Sequence, residues 1–113
     1  MRMPAEPASL ASVTETALST AEAEELAHVL RAIADPVRLR LLSLIATHPG
    51  GQACVYDLSS EFDLTGPTIS HHLKVLRAAG LVGTTRDGNR IHHWVVPASL
   101  ARLSIALAPK ESV

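Results

Sequence analysis

The hydrophobic period of this chain changes at Gly80, and that change limits the available folds more than any other feature. Before Gly80, apolar residues recur at helical spacing; after it, Leu81–Arg86 and Arg90–Val96 are β-prone runs separated by Asp87-Gly88-Asn89. Asp-Gly between two such runs is a strong hairpin signal, because only a few residues tolerate the positive φ angles that tight hairpin turns use. Pro97 then opens another helical pattern, expected over 97–108, with Leu100, Leu103 and Leu107 in register.

Upstream, helix 1 is expected at 21–34, where Leu26, Val29, Leu30 and Ile33 fall at i, i+3, i+4 and i+7. Glu22, Glu24 and Glu25 crowd its first turn, which suits the helix dipole. Asp35-Pro36 reads as an N-cap followed by the first helical residue, so helix 2 is expected at 36–47. Its inward side is Val37, Leu41, Leu44 and Ile45, its outward side Arg38 and Arg40, and Pro49-Gly50-Gly51 stops it. Helix 3 is expected at 54–62, with Val55, Leu58 and Phe62 on one face. A short Asp63-Leu64 connection leads to Thr65, a good N-cap for helix 4, which continues to Ala79 and stops at Gly80. The fold class that follows is mainly α with a β-hairpin wing: five helices, of which the third and fourth form a winged helix-turn-helix. With Phe62, Tyr56 and Trp94 the only aromatics, its core must be aliphatic.

Helix 4 has two unlike sides. At about 100° per residue, Leu73 and Leu76 lie within about 40° of Ile69 and define a buried stripe, while Pro67, Ser70, His71, Lys74 and Ala78 point the other way. His72 falls on the flank of the buried stripe, so the two adjacent histidines have different roles, His71 exposed and His72 packed or hydrogen-bonded inside. Short donors and acceptors with a cation behind them suit base edges and phosphates in a major groove, though an ordinary solvated helix face has the same composition. Arg86 and Arg90 flank the hairpin tip, where a wing would meet a phosphate backbone. The chain's net charge is −1, but its distribution is uneven. Residues 1–35 carry two cations against six carboxylates, net −4, and residues 36–113 eight against five, net +3. Within 66–96, Lys74, Arg77, Arg86 and Arg90 face only Asp87, and such local clustering is what a polyanion senses.

Three runs carry a family resemblance: Ala34-Asp35-Pro36-Val37-Arg38-Leu39-Arg40-Leu41-Leu42, then Pro67-Thr68-Ile69-Ser70-His71-His72-Leu73-Lys74-Val75-Leu76, then Ala79-Gly80-Leu81-Val82. Over about residues 24–108 the chain resembles the ArsR/SmtB family of metal-responsive regulators. The resemblance implies a homodimer joined through the first and last helices, reading double-stranded DNA at an inverted-repeat operator with paired fourth helices. On that reading the DNA-binding residues are Thr65, Pro67, Thr68, Ser70, His71, Lys74, Arg77, Arg86, Asn89 and Arg90, and the dimer-interface residues Leu26, Val29, Leu30, Leu100, Leu103, Ile105 and Leu107. A terminal helix that is apolar nearly all round, as 97–108 is, independently asks for a second surface. The family often carries Ser-Gln before Pro-Thr-Ile-Ser; here Thr65-Gly66 stands there, and Gly66 has no side chain to reach a base.

The family's metal positions are sparsely filled. Its helix-3 pattern Cys-Val-Cys-Asp reads Cys54-Val55-Tyr56-Asp57 here, and a dimer with one thiol per chain falls short of the three sulfurs a trigonal arsenite site needs. The helix-5 zinc pattern lands on Pro97, Ser99, Lys110 and Val113, none of them a suitable ligand set. The remaining metal reading is a Ni or Zn site through N/O ligands, with Cys54, Asp57, His28, His92 and His93 as candidates; the competing one is a buried Cys54 and histidines that pack. His92 and His93 are neighbours on a strand and alternate faces, so they do not chelate one ion together.

The expected organisation is a flexible arm over 1–20, a DNA-binding and dimerisation domain over 21–108 and a tail over 109–113. Cys54 is the only cysteine, Glu6 and Glu15 interrupt any leader-like apolar run, and no stretch of 18 apolar residues occurs. These features point to a soluble cytoplasmic protein with no membrane partner. No nucleophile–base spacing or phosphate-binding glycine loop stands out, so an enzyme is not expected. The alternative to a regulator is a dimeric adaptor module on the same scaffold, weak in DNA binding, with sensing done by a regulatory protein partner.

Overall fold

A computed structural model describes residues 10–110. Helices α1 (Thr20–Ile33) and α2 (Pro36–Thr47) are followed by a tight turn at Pro49–Gly51 and a short strand β1 (Gln52–Ala53). Then come α3 (Val55–Ser59), α4 (Gly66–Ala78), the hairpin β2 (Val82–Asp87) and β3 (Arg90–Val95), and α5 (Pro97–Ala106). The five helices and the wing match the expected fold class. The sheet order is β1-β3-β2, all antiparallel.

Each helix start is explained by its cap. Ser19 accepts from the Glu22 N–H at 3.1 Å while Glu22 accepts from the Ser19 N–H at 2.9 Å, a reciprocal capping box that starts α1. Asp35 accepts from the Val37 and Arg38 N–H groups at 2.9 and 3.1 Å, with Pro36 as first helical residue. These bonds, the Arg38 N–H first, hold the Asp35 carboxyl below its usual range. At the other end of α4, Gly80 takes φ 76°, and the Gly80 and Leu81 N–H groups reach back to the Arg77 and Leu76 carbonyls, both at 3.0 Å. That is a Schellman stop, and it turns the chain directly into β2.

The core is aliphatic: Leu41, Ile45, Leu58, Ile69, Leu73, Leu76, Leu81 and Val82 are fully buried. The hairpin turn has two central residues, Gly88 and Asn89, because Asp87 pairs with Arg90. Only Gly88 has a positive φ, which is the glycine requirement of a type II′ turn.

Several expectations need correction. Helix α3 ends at Ser59 rather than residue 62, since the Glu61 and Phe62 N–H groups bond three residues back and tighten the chain into turns. Arg38 does not point outward. Its side chain is 16% exposed and donates to the Ala32 carbonyl at 2.6 Å and the Arg31 carbonyl at 3.2 Å. On α5 the buried side is Ser99, Leu103 and Ala106, whereas Leu100 and Leu107 are exposed. Leu26, Val29 and Leu103, assigned to a dimer interface, are buried in the protomer's own core and have almost no surface left to lose to a partner. Leu30 is half-buried, and Leu100, Ile105 and Leu107 remain open.

The expected arm also changes character. Val13 and Thr14 are tied to the end of α5: the Val13 N–H donates to the Ala106 carbonyl at 2.9 Å and the Thr14 hydroxyl to the Ala108 carbonyl, just past the helix, at 2.7 Å. The Ala106 carbonyl is one that the C-terminus of α5 leaves unpaired, and Leu10 and Leu18 pack on the core. Residues 1–9 of the arm and 111–113 of the tail lie outside the described residues.

Candidate nucleic-acid interface

The α4 helix is divided as its period requires. Ile69, Leu73 and Leu76 are at most 1% exposed, while Thr65, Pro67, Thr68, Ser70, His71, Lys74 and Arg77 are all open to solvent. The Thr65 hydroxyl accepts from the Thr68 N–H at 3.3 Å and meets the Thr68 hydroxyl at 2.9 Å, fixing the first turn. A side chain at Gly66 would first meet Val55 at 4.0 Å, so the glycine is not demanded by packing. Arg86, Asn89 and Arg90 are exposed at the wing tip, where Arg86 Nε donates to the Gly88 carbonyl at 3.4 Å.

The wing folds back toward the open side of α4. Ser70 and Arg77 share a cleft of about 480 Å³ with Asn89 and Arg90, walled by Cys54, Val55 and Tyr56 from the start of α3 and by Ile91 and His93 from β3. Ser70, Lys74, Arg77 and His93 line a smaller adjoining hollow of about 270 Å³. Tyr56 was not singled out as a site residue by sequence reading; it is 80% exposed and is seen at this cleft only because folding brings the start of α3 there.

The histidines separate as their periodicity required. His71 is exposed, and His72 is half-buried with its Nδ1 3.1 Å from the Arg38 guanidinium. His93 is half-buried, and its Nδ1 has no hydrogen-bond partner among the described residues. Burial pushes the His93 imidazole below its ordinary pKa of 6.5, and the charges of Arg77 and His92 add to that, partly offset by the nearby Ala53 backbone.

Cys54 and Asp57 serve a structural purpose. Asp57 accepts from the Cys54 N–H at 3.0 Å and from the Cys54 thiol at 3.2 Å, a capping box at the start of α3. The Cys54 N–H, then its thiol, hold the Asp57 carboxyl below its usual range. His28 is exposed, and the His48 ring lies against its neighbouring Pro49 carbonyl at 3.3 Å. Among the described residues no three His, Cys, Asp or Glu side chains converge closely enough to hold an ion. A thiolate metal centre therefore does not fit the donors of one protomer, whose lone Cys54 is buried and committed to the cap.

A short helix leading into an exposed, capped helix, backed by a two-stranded wing with basic residues at its tip, defines a winged helix-turn-helix DNA-binding domain. Residues 35–84 match the family model described as bacterial regulatory protein, arsR family. The chain is 36% identical to the biofilm growth-associated repressor of Agrobacterium fabrum, with 80% of each chain covered. It is 39% identical to the arsenical resistance operon repressor of Staphylococcus aureus, covering 63% of this chain and 64% of that one. Among solved structures it resembles a homodimeric winged helix-turn-helix DNA-binding domain from Mycobacterium bovis, with a TM-score of 0.65, 28% identity and coverage of 79% and 80%. The chain belongs to the ArsR/SmtB family of transcription regulators, not to a family of enzymes. No helix among the described residues is long and apolar enough to cross a membrane.

Proposed function

We propose that this chain acts as a cytoplasmic homodimer that binds an inverted-repeat operator, with α4 of each protomer in one of two successive major grooves and each wing on the flanking backbone. The observation that carries this reading is the division of α4: one side is locked into the core by Ile69, Leu73 and Leu76, and the other presents Ser70, His71, Lys74 and Arg77 to solvent. Wing arginines Arg86 and Arg90 extend the basic surface. A second copy would cover Leu100, Ile105 and Leu107, the large apolar side chains that α5 leaves open, and would double the cationic groups facing DNA. The Mycobacterium bovis domain, itself homodimeric, supports that assembly.

A gel-shift titration with DNA from upstream of the chain's own coding sequence tests this. The expected result is a discrete complex, weakened by salt and protected from footprinting over two half-sites about one helical turn apart. The absence of any complex at low salt with that promoter and its surrounding regulatory DNA overturns the reading and favours the adaptor.

A further inference from the structure

The cleft between α4, the wing and the start of α3 has a chemistry that a phosphate backbone alone would not use. Its volume of about 480 Å³ falls in the range of small-molecule sites. It contains two guanidinium groups, Arg77 and Arg90, from separate elements, and no carboxylate among the described residues lines it. Neither guanidinium has a carboxylate within ion-pair distance among the described residues, where Arg38 and Asp35 form the one ion pair. Asp57 is near enough for Arg90 to act on it, but its carboxylate is engaged by the Cys54 N–H and thiol. Opposite this charge stand apolar and aromatic surfaces: Val55, the Tyr56 ring and Ile91, the last 44% exposed. His93 forms part of the lining with a buried Nδ1 that has no hydrogen-bond partner among the described residues.

We infer that this cleft binds a small organic anion, a carboxylate on a flat apolar body, with the carboxylate at Arg77 and Arg90 and the body against Val55, Tyr56 and Ile91. A bare phosphate would meet the guanidinium groups and leave the apolar walls wet; a neutral apolar molecule would bury the guanidinium groups unpaired. Because Ser70, Arg77, Asn89 and Arg90 also belong to the proposed DNA-facing surface, an occupied cleft and a bound operator exclude each other. That consequence rests on the DNA-binding reading above, whereas the site itself does not.

The test separates the two. Free protein labelled with nitrogen-15 is titrated by NMR with naphthoate, with methyl naphthoate and with inorganic phosphate. Naphthoate is expected to shift the amides of Val55, Ser70, Ile91 and His93 saturably, one molecule per chain, with the ester and phosphate weaker by about tenfold or more. Absence of saturable shifts, shifts centred elsewhere, or equal binding of either control overturns the site. Val55→Trp fills the cleft from its α3 wall and is expected to abolish the naphthoate shifts; should it fail to fold, Ile91→Glu places a repelling carboxylate at the same wall. Retained binding in the folded variant also overturns it. With operator DNA bound, naphthoate is expected to release the wild-type protein; binding without release overturns the competition alone, and absence of any DNA complex leaves the NMR result standing.

Discussion

Arg38 and His72, 34 residues apart in sequence, meet through a hydrogen bond of 3.1 Å between a guanidinium Nη1 and the imidazole Nδ1. A guanidinium can only donate, so His72 accepts at Nδ1 and carries its proton on Nε2. The same guanidinium donates to the Ala32 and Arg31 carbonyls in the last turn of α1 and lies 4.0 Å from Asp35. One half-buried side chain thus joins the end of α1, the start of α2 and the middle of α4.

Arg38→Met keeps the aliphatic stem and removes every one of those bonds. The expected loss is about 1–3 kcal/mol in urea unfolding, because the α1 carbonyls and His72 lose a charged donor. Arg38→Lys is expected to recover little, since an ammonium cannot reproduce the fork. A loss below about 0.5 kcal/mol in the methionine variant would show that solvent replaces the donor freely.

The neighbouring histidines offer a paired test. His71 and His72 have ring centroids 5.9 Å apart but face different surroundings, solvent for one and Arg38 for the other. His71→Ala is expected to leave unfolding unchanged and alter preference among operator variants. His72→Ala is expected to lower stability by about 1–2 kcal/mol, as it strands the Arg38 donor. Calorimetric unfolding and competition gel shifts read the two effects, and a reversed pattern would mean that the helix is rotated from the orientation described.

Much of this fold was legible because its signals are local. The 3.6-residue period located α4's buried stripe, and Asp35, Thr65 and Gly80 marked helix ends by their capping chemistry. What escaped depended on partners distant in sequence. Leu26, Val29 and Leu103 form apolar stripes, but a stripe does not say whether its own protomer or a second copy will cover it; here the protomer's core does. Arg38 was placed outward because its partners His72 and the α1 carbonyls are brought in only by tertiary folding. Strand β1 has two residues, too few to display a period, and exists because Gln52 and Ala53 pair with Trp94 and His93. Cys54 and Asp57 were read as candidate ligands, and the same i, i+3 spacing turned out to close a capping box.

Gly83 is another position visible only in three dimensions. It pairs with Trp94 across the hairpin, and a Cβ there would sit 2.5 Å from the indole ring. Gly83→Ala therefore forces the ring off its seat and breaks the 3.1 Å bond from Trp94 Nε1 to the Thr85 hydroxyl. The expected cost is about 1–3 kcal/mol, with a red-shifted emission from the sole tryptophan as it meets water. Unchanged fluorescence and stability would mean that the hairpin backbone relaxes to admit the methyl group.

His93 predicts a direction for the pH dependence of stability. Its folded-state pKa is depressed below 6.5 by burial first, then by Arg77 and His92. As pH falls through 6.5 the unfolded chain takes up a proton that the folded chain refuses, so stability declines until the folded imidazole protonates as well. His93→Gln removes this contribution. Urea midpoints followed from neutral to mildly acidic pH are expected to fall less steeply in the variant, and parallel profiles would show that the imidazole reaches water as it titrates.

Lys74 gives the sharpest test of how the basic surface is used. It stands on the open side of α4 beside Ser70 and Arg77. A contact with a phosphate displaces condensed counterions, so each lost contact makes the slope of log K against log salt shallower by about 0.9. A homodimer loses two contacts at once, and Lys74→Ala is expected to flatten the slope by about 2 while weakening all DNA sequences alike. If Lys74 instead met a base edge, the slope would stay near its original value and affinity would fall for one base pair in each half-site only. The two outcomes differ in kind, so fluorescence anisotropy at a few salt concentrations on the operator and one scrambled duplex decides between backbone positioning and base reading.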